Sequence, residues 1–294
     1  MSATAFVITG ATSGIGAATA LALGRAGASV VLVGRNEARG RKMVRRIGRH
    51  EGAGRAEFVR ADLSSQRDVR AAATAIAERH LRLDGLINNA GARFDSYGRT
   101  ADGFERTFAT NHLGHFLLTC LLLDKLLLAP QGRVINVSSG SHSSAAATGD
   151  WQQTEVGYDR RIAYAKSKLA NILFTIELAR RLAGTGVTAN ALDPGGVASR
   201  FALNNGLVAW LKHVVAHGIR RQLVRSRTGA ETAVYLATVP EVERLSGKFF
   251  RDKREAQPSA AASDRQAARE LWALSVRWTG IDERLGAAWS WIRP

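Results

Sequence analysis

The sequence predicts an α/β fold: a single doubly wound, Rossmann-type parallel sheet of about seven strands with helices on both faces. Short apolar runs of strand length alternate with longer runs of helix length through most of the 294 residues, and this pattern is typical of a parallel sheet covered on both faces. No repeat, low-complexity tract or clear linker divides the chain. We therefore expect one domain over residues 1–280. The tail, residues 281–294, could pack back onto this domain, cap a neighbouring subunit or stay mobile.

The predicted elements follow one another in a regular order. The predicted strands are Ala5–Thr9, Ser29–Val33, Ala56–Ala61, Gly85–Asn88, Arg133–Val137, Thr188–Leu192 and a weaker Lys248–Phe250. The predicted helices are Ile15–Ala26, Glu37–His50, Gln66–Arg79, Phe104–Leu128 and Ile162–Leu182. Doubly wound sheets bind ligands at the carboxyl ends of their strands, so the residues that follow each strand are the candidate site residues.

Composition excludes several classes of protein. With 46% hydrophobic residues the chain can bury a full core. Its one cysteine, Cys120, lies in an apolar helical run and rules out an internal disulfide. No signal peptide is visible before the first predicted strand, and the most apolar run, residues 116–129, is shorter than a membrane span and contains Asp124 and Lys125. We expect a soluble, cytoplasmic protein.

The formal net charge of +16 suggests a nucleic-acid partner at first sight. However, the basic residues are mostly arginines spread over many segments, and the clearest cluster, Arg39 to Arg49, lies on a predicted surface helix. No nucleic-acid-binding motif is recognisable. We expect diffuse attraction to anionic surfaces and no specific nucleic-acid partner.

The first predicted strand leads into the glycine-rich run Thr9–Gly16. Its glycines would allow a tight turn, a close approach of the backbone to a phosphate, and tight helix–strand contact. Free N–H groups at the start of the next helix would hold a pyrophosphate. The candidate cofactor contacts here are Gly10, Ser13, Gly14, Ile15 and Gly16. An ordinary glycine-rich turn is the alternative, although the motif has the strand before it and the helix after it that a dinucleotide site requires.

The end of the second predicted strand bears on the choice of cofactor. A ribose with a free 2′-hydroxyl usually meets an Asp or Glu there, whereas this chain has Gly34, Arg35 and Asn36. The planar Arg35 cation suits a 2′-phosphate. The sequence therefore favours NADP(H) over NAD(H), with an ordinary solvated arginine as the alternative for Arg35.

Polar or small residues also follow the third and fourth predicted strands. Asp62 and Leu63 lie where an adenine could bind, although Asp62 could also be a helix N-cap. At the next strand end, small residues would let a cofactor approach the sheet, and asparagines could tie neighbouring strand ends together. This stretch is Asn88-Asn89-Ala90-Gly91, of which Asn89, Ala90 and Gly91 are candidate cofactor contacts.

Three further polar residues lie in the long apolar run that follows. A buried asparagine needs hydrogen-bond partners, so Asn111 is either a structural tie or part of a proton path. His112 and His115 are expected to be packing or surface residues. No carboxylate or cysteine cluster accompanies them, so no metal site is predicted.

The stretch Tyr164–Lys168 provides the candidate proton-transfer chemistry. On a helix, Tyr164 and Lys168 lie a turn apart on one face. A cation near a phenol favours the phenolate and lowers its pKa from about 10, which would let the tyrosine exchange a proton with a hydroxyl or carbonyl. Ser139, at the end of the fifth predicted strand, could hold a substrate oxygen. A nucleophilic serine is not favoured, because no G-x-S-x-G elbow surrounds it.

Taken together, these motifs resemble the short-chain dehydrogenase/reductase family. The matching motifs are Gly10-x-x-x-Gly14-x-Gly16, Asn88-Asn89-Ala90-Gly91, Asn111, Ser139, Tyr164-x-x-x-Lys168 and Pro194-Gly195-Gly196-Val197. The resemblance implies that Tyr164 is the general acid/base. It implies that Lys168 lowers the pKa of Tyr164 and binds the nicotinamide ribose, that Ser139 polarises the substrate oxygen, and that Asn111 holds a water linking Lys168 to solvent. Four residues after the sixth strand are implied to border the nicotinamide: Pro194, Gly195, Val197 and Ser199.

Within the family, the chain is most similar to the retinol dehydrogenase and WW-domain oxidoreductase branch. The features are the long stretch from Ser139 to Tyr164, the run Tyr164–Asn171, and the late segment Leu245–Phe250 with Ala268–Trp272 downstream. The resemblance implies an NADP(H)-dependent oxidoreductase that interconverts a hydroxyl and a carbonyl. A nucleotide-binding sensor or scaffold that has lost turnover is the alternative.

Residues 201–227 carry the expectations about substrate and partners. The resemblance implies that this segment is a lid, and its mixture of apolar residues with His and Arg suggests a lipophilic alcohol, aldehyde or ketone. The same composition could place the segment at a membrane surface, or it could reflect ordinary core packing. A homo-oligomer is also possible.

Overall fold

The structure, a computed structural model, describes residues 4–147, 150–195 and 226–281. These residues form one eight-stranded sheet in the order β3-β2-β1-β4-β5-β6-β7-β8. The strands are β1 Ala5–Thr9, β2 Ser29–Gly34, β3 Ala56–Arg60, β4 Gly85–Asn88, β5 Arg133–Val137, β6 Thr188–Asp193, β7 Phe249–Arg251 and β8 Arg254–Glu255. All neighbouring strands pair in parallel except β7 and β8, which are antiparallel. This confirms the predicted doubly wound sheet and adds one short edge strand to it.

The helices of the described residues cover both faces of the sheet. They are α1 Gly14–Arg25, α2 Glu37–Ile47, α3 Gln66–Arg79, α4 Arg106–Phe108, α5 Gly114–Leu127, α6 Arg160–Arg181, α7 Ser226–Thr238 and α8 Arg265–Thr279. A π-helical turn, Ala109–Leu113, joins α4 to α5. None of these helices is both long enough and apolar enough to span a bilayer.

The sheet is buried on both faces because successive strand residues point in opposite directions. In β1, Val7 packs with α3 and α5 in one apolar cluster, whereas Phe6 and Ile8 pack with α1, α2 and α7 in another. A third cluster lies between α6 and α8. Cys120 is buried in the first cluster, as expected. Strands buried on both faces read as continuous apolar runs, which is why their sequence signal is clear.

Several predicted elements differ from the observed ones at their ends, and helices α7 and α8 have no predicted counterpart. Two of the differences have clear local reasons. The predicted helix Phe104–Leu128 is wrong as one element. The Glu105 carboxylate accepts bonds from the N–H groups of Thr107 and Phe108 and so starts α4 at Arg106, and the π-helical turn then interrupts the run. The predicted last strand is shifted by one residue to Phe249–Arg251. The tight turn that follows it, with positive φ at Asp252 and Lys253, forms the unpredicted β7–β8 hairpin.

Candidate active site

The glycine-rich turn after β1 has the conformation that a phosphate-binding loop requires. Gly10 and Gly14 have φ values of +65° and +56°, which favour glycine. A Cβ on Gly16 would lie 2.4 Å from the side-chain nitrogen of Asn89 and 2.5 Å from the Gly10 carbonyl oxygen. Helix α1 begins at Gly14, so its N-terminal N–H groups lie beside the turn, where an anion is favoured. All three glycines therefore have a structural requirement.

The expected ties between strand ends are present. The N–H groups of Asn89 and Ala90 both donate to Thr9 Oγ1 at 2.9 Å, and the Asn89 side chain donates to the Thr9 carbonyl at 2.8 Å. On the other side, Asn88 donates to Asn136 Oδ1 at 2.8 Å. These bonds hold the ends of β1, β4 and β5 in register. Thr9 is a site residue that the sequence motifs did not identify.

At the end of β2, the two candidate cofactor contacts have different surroundings. The Arg35 side chain is exposed, which leaves it accessible to a charged group. The Asn36 side chain instead caps α2 by accepting a bond from Arg39 N at 2.9 Å. Asn36 therefore has a structural role of its own in addition to the predicted contact.

After β3, the suggested N-cap role of Asp62 is wrong. Its Oδ1 accepts bonds from the backbone N–H and hydroxyl of Ser64, at 3.0 and 2.8 Å, and forms a local turn. Ser65 caps α3 instead. Leu63 is buried, and its carbonyl lies so close to Gly114 that a Cβ there would be 2.2 Å from the oxygen. This contact fixes the start of α5 against the loop after β3.

The predicted catalytic residues converge at the carboxyl end of β5. Ser139 is in an extended conformation at the start of a 3₁₀ turn, Gly140–Ser144, and its side chain hydrogen-bonds that of the half-buried Tyr164. The Lys168 ammonium lies 5.6 Å from the centre of the Tyr164 ring and donates to the Val137 carbonyl at 2.9 Å. The structure therefore brings Ser139, Tyr164 and Lys168 together as the sequence predicts.

The pKa values of this pair differ from the expectation. Burial raises the pKa of Tyr164 to about 12, although the hydrogen bond with Ser139 and the positive charge of Arg93 act in the opposite direction. Burial lowers the pKa of Lys168 to about 8, and the carboxylate of Asp193 opposes this change. In the protein alone the pKa of Tyr164 is therefore raised and not lowered as expected, because desolvation of the phenolate outweighs the surrounding charges.

Asn111 is placed as a structural tie. Its side-chain amide forms two hydrogen bonds with the backbone of Ala92, at 2.7 and 2.8 Å, and donates a third to Ser167 Oγ at 2.9 Å. Ser167 in turn donates to the Tyr164 carbonyl at 2.7 Å. Asn111 thus links the loop after β4 to the helical turn that carries Tyr164. The proton path remains a prediction.

The two histidines near Asn111 are buried packing residues, as expected. His115 Nδ1 donates to the Asn111 carbonyl at 2.9 Å, and its Nε2 lies 2.9 Å from Thr9 Oγ1. Burial lowers the pKa of His112 to about 4 and that of His115 to about 3. Both imidazoles are therefore neutral at pH 7. Within the described ranges, no three His, Cys, Asp or Glu side chains are grouped so that they could hold a metal ion.

The end of β6 adds residues that the motifs did not identify. Asp193 Oδ1 accepts a bond from Gly195 N at 3.0 Å, and Gly195 has a φ of +75°. Asp193 also pairs with Arg251, which no spacing in the sequence suggests. Pro194 and Gly195 lie at the expected strand end. The candidates Val197 and Ser199, most of the predicted lid 201–227 and the tail beyond residue 281 lie outside the described residues.

Comparison with known proteins agrees with this geometry. The family model described as short chain dehydrogenase matches residues 4–206. Human retinol dehydrogenase 14 is 40% identical over 291 residues, covering 94% of this chain and 86% of the relative. Human retinol dehydrogenase 12 is 39% identical over 275 residues, with the same two coverages.

Solved structures give the same result. An uncharacterised protein from Mycobacterium paratuberculosis is 34% identical with a TM-score of 0.74, covering 94% of this chain and 93% of that one. A single-residue variant of actinorhodin polyketide ketoreductase, solved with NADPH, is 26% identical with a TM-score of 0.65, covering 84% and 95%. From its motifs, its sheet and these matches, the chain belongs to the short-chain dehydrogenase family.

Proposed function

We propose that this protein interconverts a hydroxyl and a carbonyl on a lipophilic alcohol, aldehyde or ketone, with NADP(H) as cofactor and Tyr164 as general acid/base. The observation that carries the proposal is the hydrogen bond between Ser139 and Tyr164, with the Lys168 ammonium beside the same ring. This group lies at the strand-end edge where doubly wound sheets bind ligands.

The residues present fit a dinucleotide. A Cβ on Gly10 would lie 2.9 Å from Ala90 Cα. Only a glycine at this position therefore fits the narrow gap between the β1 turn and the loop after β4. The backbone of Gly14 to Gly16 would hold the pyrophosphate at the α1 N-terminus. Arg35 would meet a 2′-phosphate, because no carboxylate stands at the end of β2 to bind a free ribose hydroxyl. When bound, the nicotinamide supplies or accepts the hydride.

The chain's own groups handle the proton and the substrate oxygen. With a pKa near 12, Tyr164 keeps its proton at neutral pH and can donate it to a carbonyl oxygen that gains negative charge. Ser139 would hold the same oxygen by a hydrogen bond. Lys168, fixed by the Val137 carbonyl, places a positive charge where it stabilises the phenolate that remains. In the oxidising direction the same groups act in reverse.

The relatives support the proposed substrate class. Those named retinol dehydrogenase are 38–40% identical, and retinol is a long apolar alcohol. We therefore place the substrate among lipophilic alcohols, aldehydes and ketones. Contact of residues 201–227 with a membrane surface and assembly into a homo-oligomer are parts of the same proposal.

Tyr164→Phe tests the proposed function. Loss of the hydroxyl removes the proton donor, and general acid/base catalysis contributes about 10²–10⁴-fold. We expect turnover of retinal, aliphatic aldehydes or steroid ketones with NADPH to fall by that factor, while NADPH binding, measured by fluorescence titration, is retained. Tyr158→Phe is the matched control, because Tyr158 bonds Phe94 O outside the Ser139 cluster. Equal turnover in Tyr164→Phe and the parent would remove Tyr164 from the mechanism.

A further inference from the structure

A buried carboxylate lies next to the proposed catalytic residues and has no step in the proposed reaction. Asp193 is 5% exposed, and its Oδ2 accepts bonds from Nε and Nη2 of Arg251 at 3.0 and 2.7 Å. The sheet itself brings the two together, because β6 and β7 run parallel with Asp193 opposite Arg251. Arg251 keeps about half of its side chain, 51%, exposed. The pair therefore connects the sheet edge to the surface.

The position of this pair relative to the candidate active site is fixed by two contacts. A Cβ built on Gly140, the residue after Ser139, would lie 3.1 Å from Asp193 Oδ2 and 3.3 Å from Arg251 Nη2. In addition, Val137, whose carbonyl accepts the bond from the Lys168 ammonium, pairs across the sheet with the residue before Asp193. The carboxylate thus lies next to Gly140, and the residue before it on β6 pairs with the residue that accepts the bond from the Lys168 ammonium.

Asp193 acts on its neighbours in two ways. Its Oδ1 fixes the turn at Pro194–Gly195 through the bond to Gly195 N. Its negative charge raises the pKa values of both Lys168 and Tyr164. For Lys168 this charge opposes the desolvation that would otherwise remove the proton. Asp193 therefore favours the charged lysine and the neutral tyrosine.

Other charged and titratable groups face this cluster from neighbouring elements. They are His115 from α5, Arg93 from the loop after β4, His142 from the 3₁₀ turn after β5, and Arg251 from β7. His142 is tied between the Ser139 carbonyl and Ser259 N, at 2.7 and 3.1 Å. Among the causes that shift the pKa of Lys168, Asp193 is the charged group that raises it.

We propose that Asp193, oriented by Arg251, is a positioning residue that keeps the buried Lys168 ammonium charged and holds the Pro194–Gly195 turn against the reaction centre. Arg251 sets the strength of this effect, because its guanidinium binds the same carboxylate and partly neutralises its charge. The catalytic consequence rests on the proposed function, whereas the link between Asp193 and Lys168 does not.

The link is tested in the protein without cofactor by NMR titration of ¹³Cε-labelled lysine. The chain has seven lysines, and the signal lost in Lys168→Met identifies Lys168. We expect Asp193→Asn to lower the pKa of Lys168 by about one unit, while the new amide oxygen can still accept from Gly195 N. Arg251→Gln should shift the pKa in the opposite direction, because it leaves the carboxylate less neutralised.

The catalytic consequence is tested by the pH profile of kcat with NADPH and the best substrate of the screen above. Asp193 raises both the Tyr164 and the Lys168 pKa, so its loss should move the profile to lower pH, and Arg251→Gln should move it to higher pH. A purely structural role would lower the rate in both variants without shifts of opposite sign. If Asp193→Asn does not fold, the direction of the Arg251→Gln shift decides.

Glu177→Gln is the matched control. Like Asp193, Glu177 is a buried carboxylate that forms an ion pair, in its case with two arginines, and it lies on α6 beyond Lys168. Its substitution should reduce stability without moving the Lys168 signal. An unchanged Lys168 pKa in both Asp193→Asn and Arg251→Gln would overturn the proposal. If no substrate is turned over but the NMR shifts are present, the proposed function is contradicted, whereas the effect of Asp193 on the pKa of Lys168 is confirmed.

Discussion

Lys168 combines two properties that oppose each other in a folded protein. Its side chain is 2% exposed, and burial lowers its pKa to about 8. Below pH 8 the folded protein therefore holds a buried charge that the unfolded chain keeps in water, and the folded state is destabilised by that difference. A residue retained at such a cost to stability is typical of a functional site.

Lys168→Met should consequently make the protein more stable and inactive. We expect the free energy of unfolding at pH 7 to rise by about 1–3 kcal/mol, since one pKa unit corresponds to about 1.4 kcal/mol. The unfolded lysine binds more protons than the folded one between its folded value near 8 and its ordinary value of 10.5. The parent therefore gains stability as the pH rises through that window, and the difference in the free energy of unfolding between Lys168→Met and the parent should shrink. Urea unfolding of both proteins at pH 7 and pH 10 measures this difference. A Lys168→Met variant that is less stable than the parent at pH 7 would contradict the prediction.

Arg35 is the residue to which we assign the proposed preference for NADP(H). Arg35→Asp replaces a cation by a carboxylate that can bind a free ribose 2′-hydroxyl and repels a 2′-phosphate. We expect the ratio of kcat/KM for NADPH to that for NADH to fall by at least about tenfold, which corresponds to about 1.4 kcal/mol. Arg39→Asp, on the first turn of α2, is the control. An unchanged ratio in Arg35→Asp would discredit its assigned role.

At the scale of elements, the sequence predicts the strands and helices that have a clear apolar pattern. It misses the boundaries that depend on individual tertiary contacts. Strands β1, β4 and β5 are predicted to the residue, because each is an apolar run bounded by turn residues. The interruption between α4 and α5 is missed, since apolar periodicity continues through the π-helical turn. Asn111 lies in this turn, and its side chain hydrogen-bonds Ala92 and Ser167, which are tertiary contacts that a local pattern does not show. The two-residue strand β8 carries too few residues to show a pattern.

The start of α5 provides a test of such a contact. Gly114 is helical, so propensity alone predicts that Gly114→Ala is stabilising by about 1 kcal/mol. However, the new methyl carbon would lie 2.2 Å from the Leu63 carbonyl oxygen, and a backbone atom cannot move away as a side chain can. We expect a loss of about 1–3 kcal/mol from overpacking. Gly48→Ala is the control, because the new methyl carbon would lie 3.6 Å from its nearest neighbour, the Val44 carbonyl oxygen. If both variants gain stability, the contact between residue 114 and the Leu63 carbonyl does not limit stability.

At the scale of the whole molecule, the sequence identifies site residues that belong to motifs and not those that depend on strand register. Ser139, Tyr164 and Lys168 converge as predicted because each has a fixed place at a strand end or on a helix. Asp193 and Arg251 are 58 residues apart along the chain and meet only because β6 and β7 are neighbours. That adjacency follows from the sheet order, which local patterns do not encode.

Whole-molecule stability should depend on pH through two buried imidazoles. His112 lies 2.9 Å from Ser275 Oγ on α8, and His115 joins the π-helical turn to β1. Their folded pKa values, about 4 and about 3, are below the ordinary value of 6.5. The unfolded chain therefore binds more protons than the folded one at mildly acidic pH. Stability is complete above pH 6.5 and is lost as the pH falls.

We expect the free energy of unfolding to fall by about 1.5–2 kcal/mol per imidazole between pH 6.5 and pH 5, which follows from integrating the proton difference. Urea unfolding at several pH values and constant ionic strength measures this loss. The window stays above the range in which most carboxylates titrate, so the histidines dominate it. His112→Asn should reduce the loss by about half, because His115 still contributes. A free energy that is constant across the window would mean that these imidazoles accept protons inside the folded core.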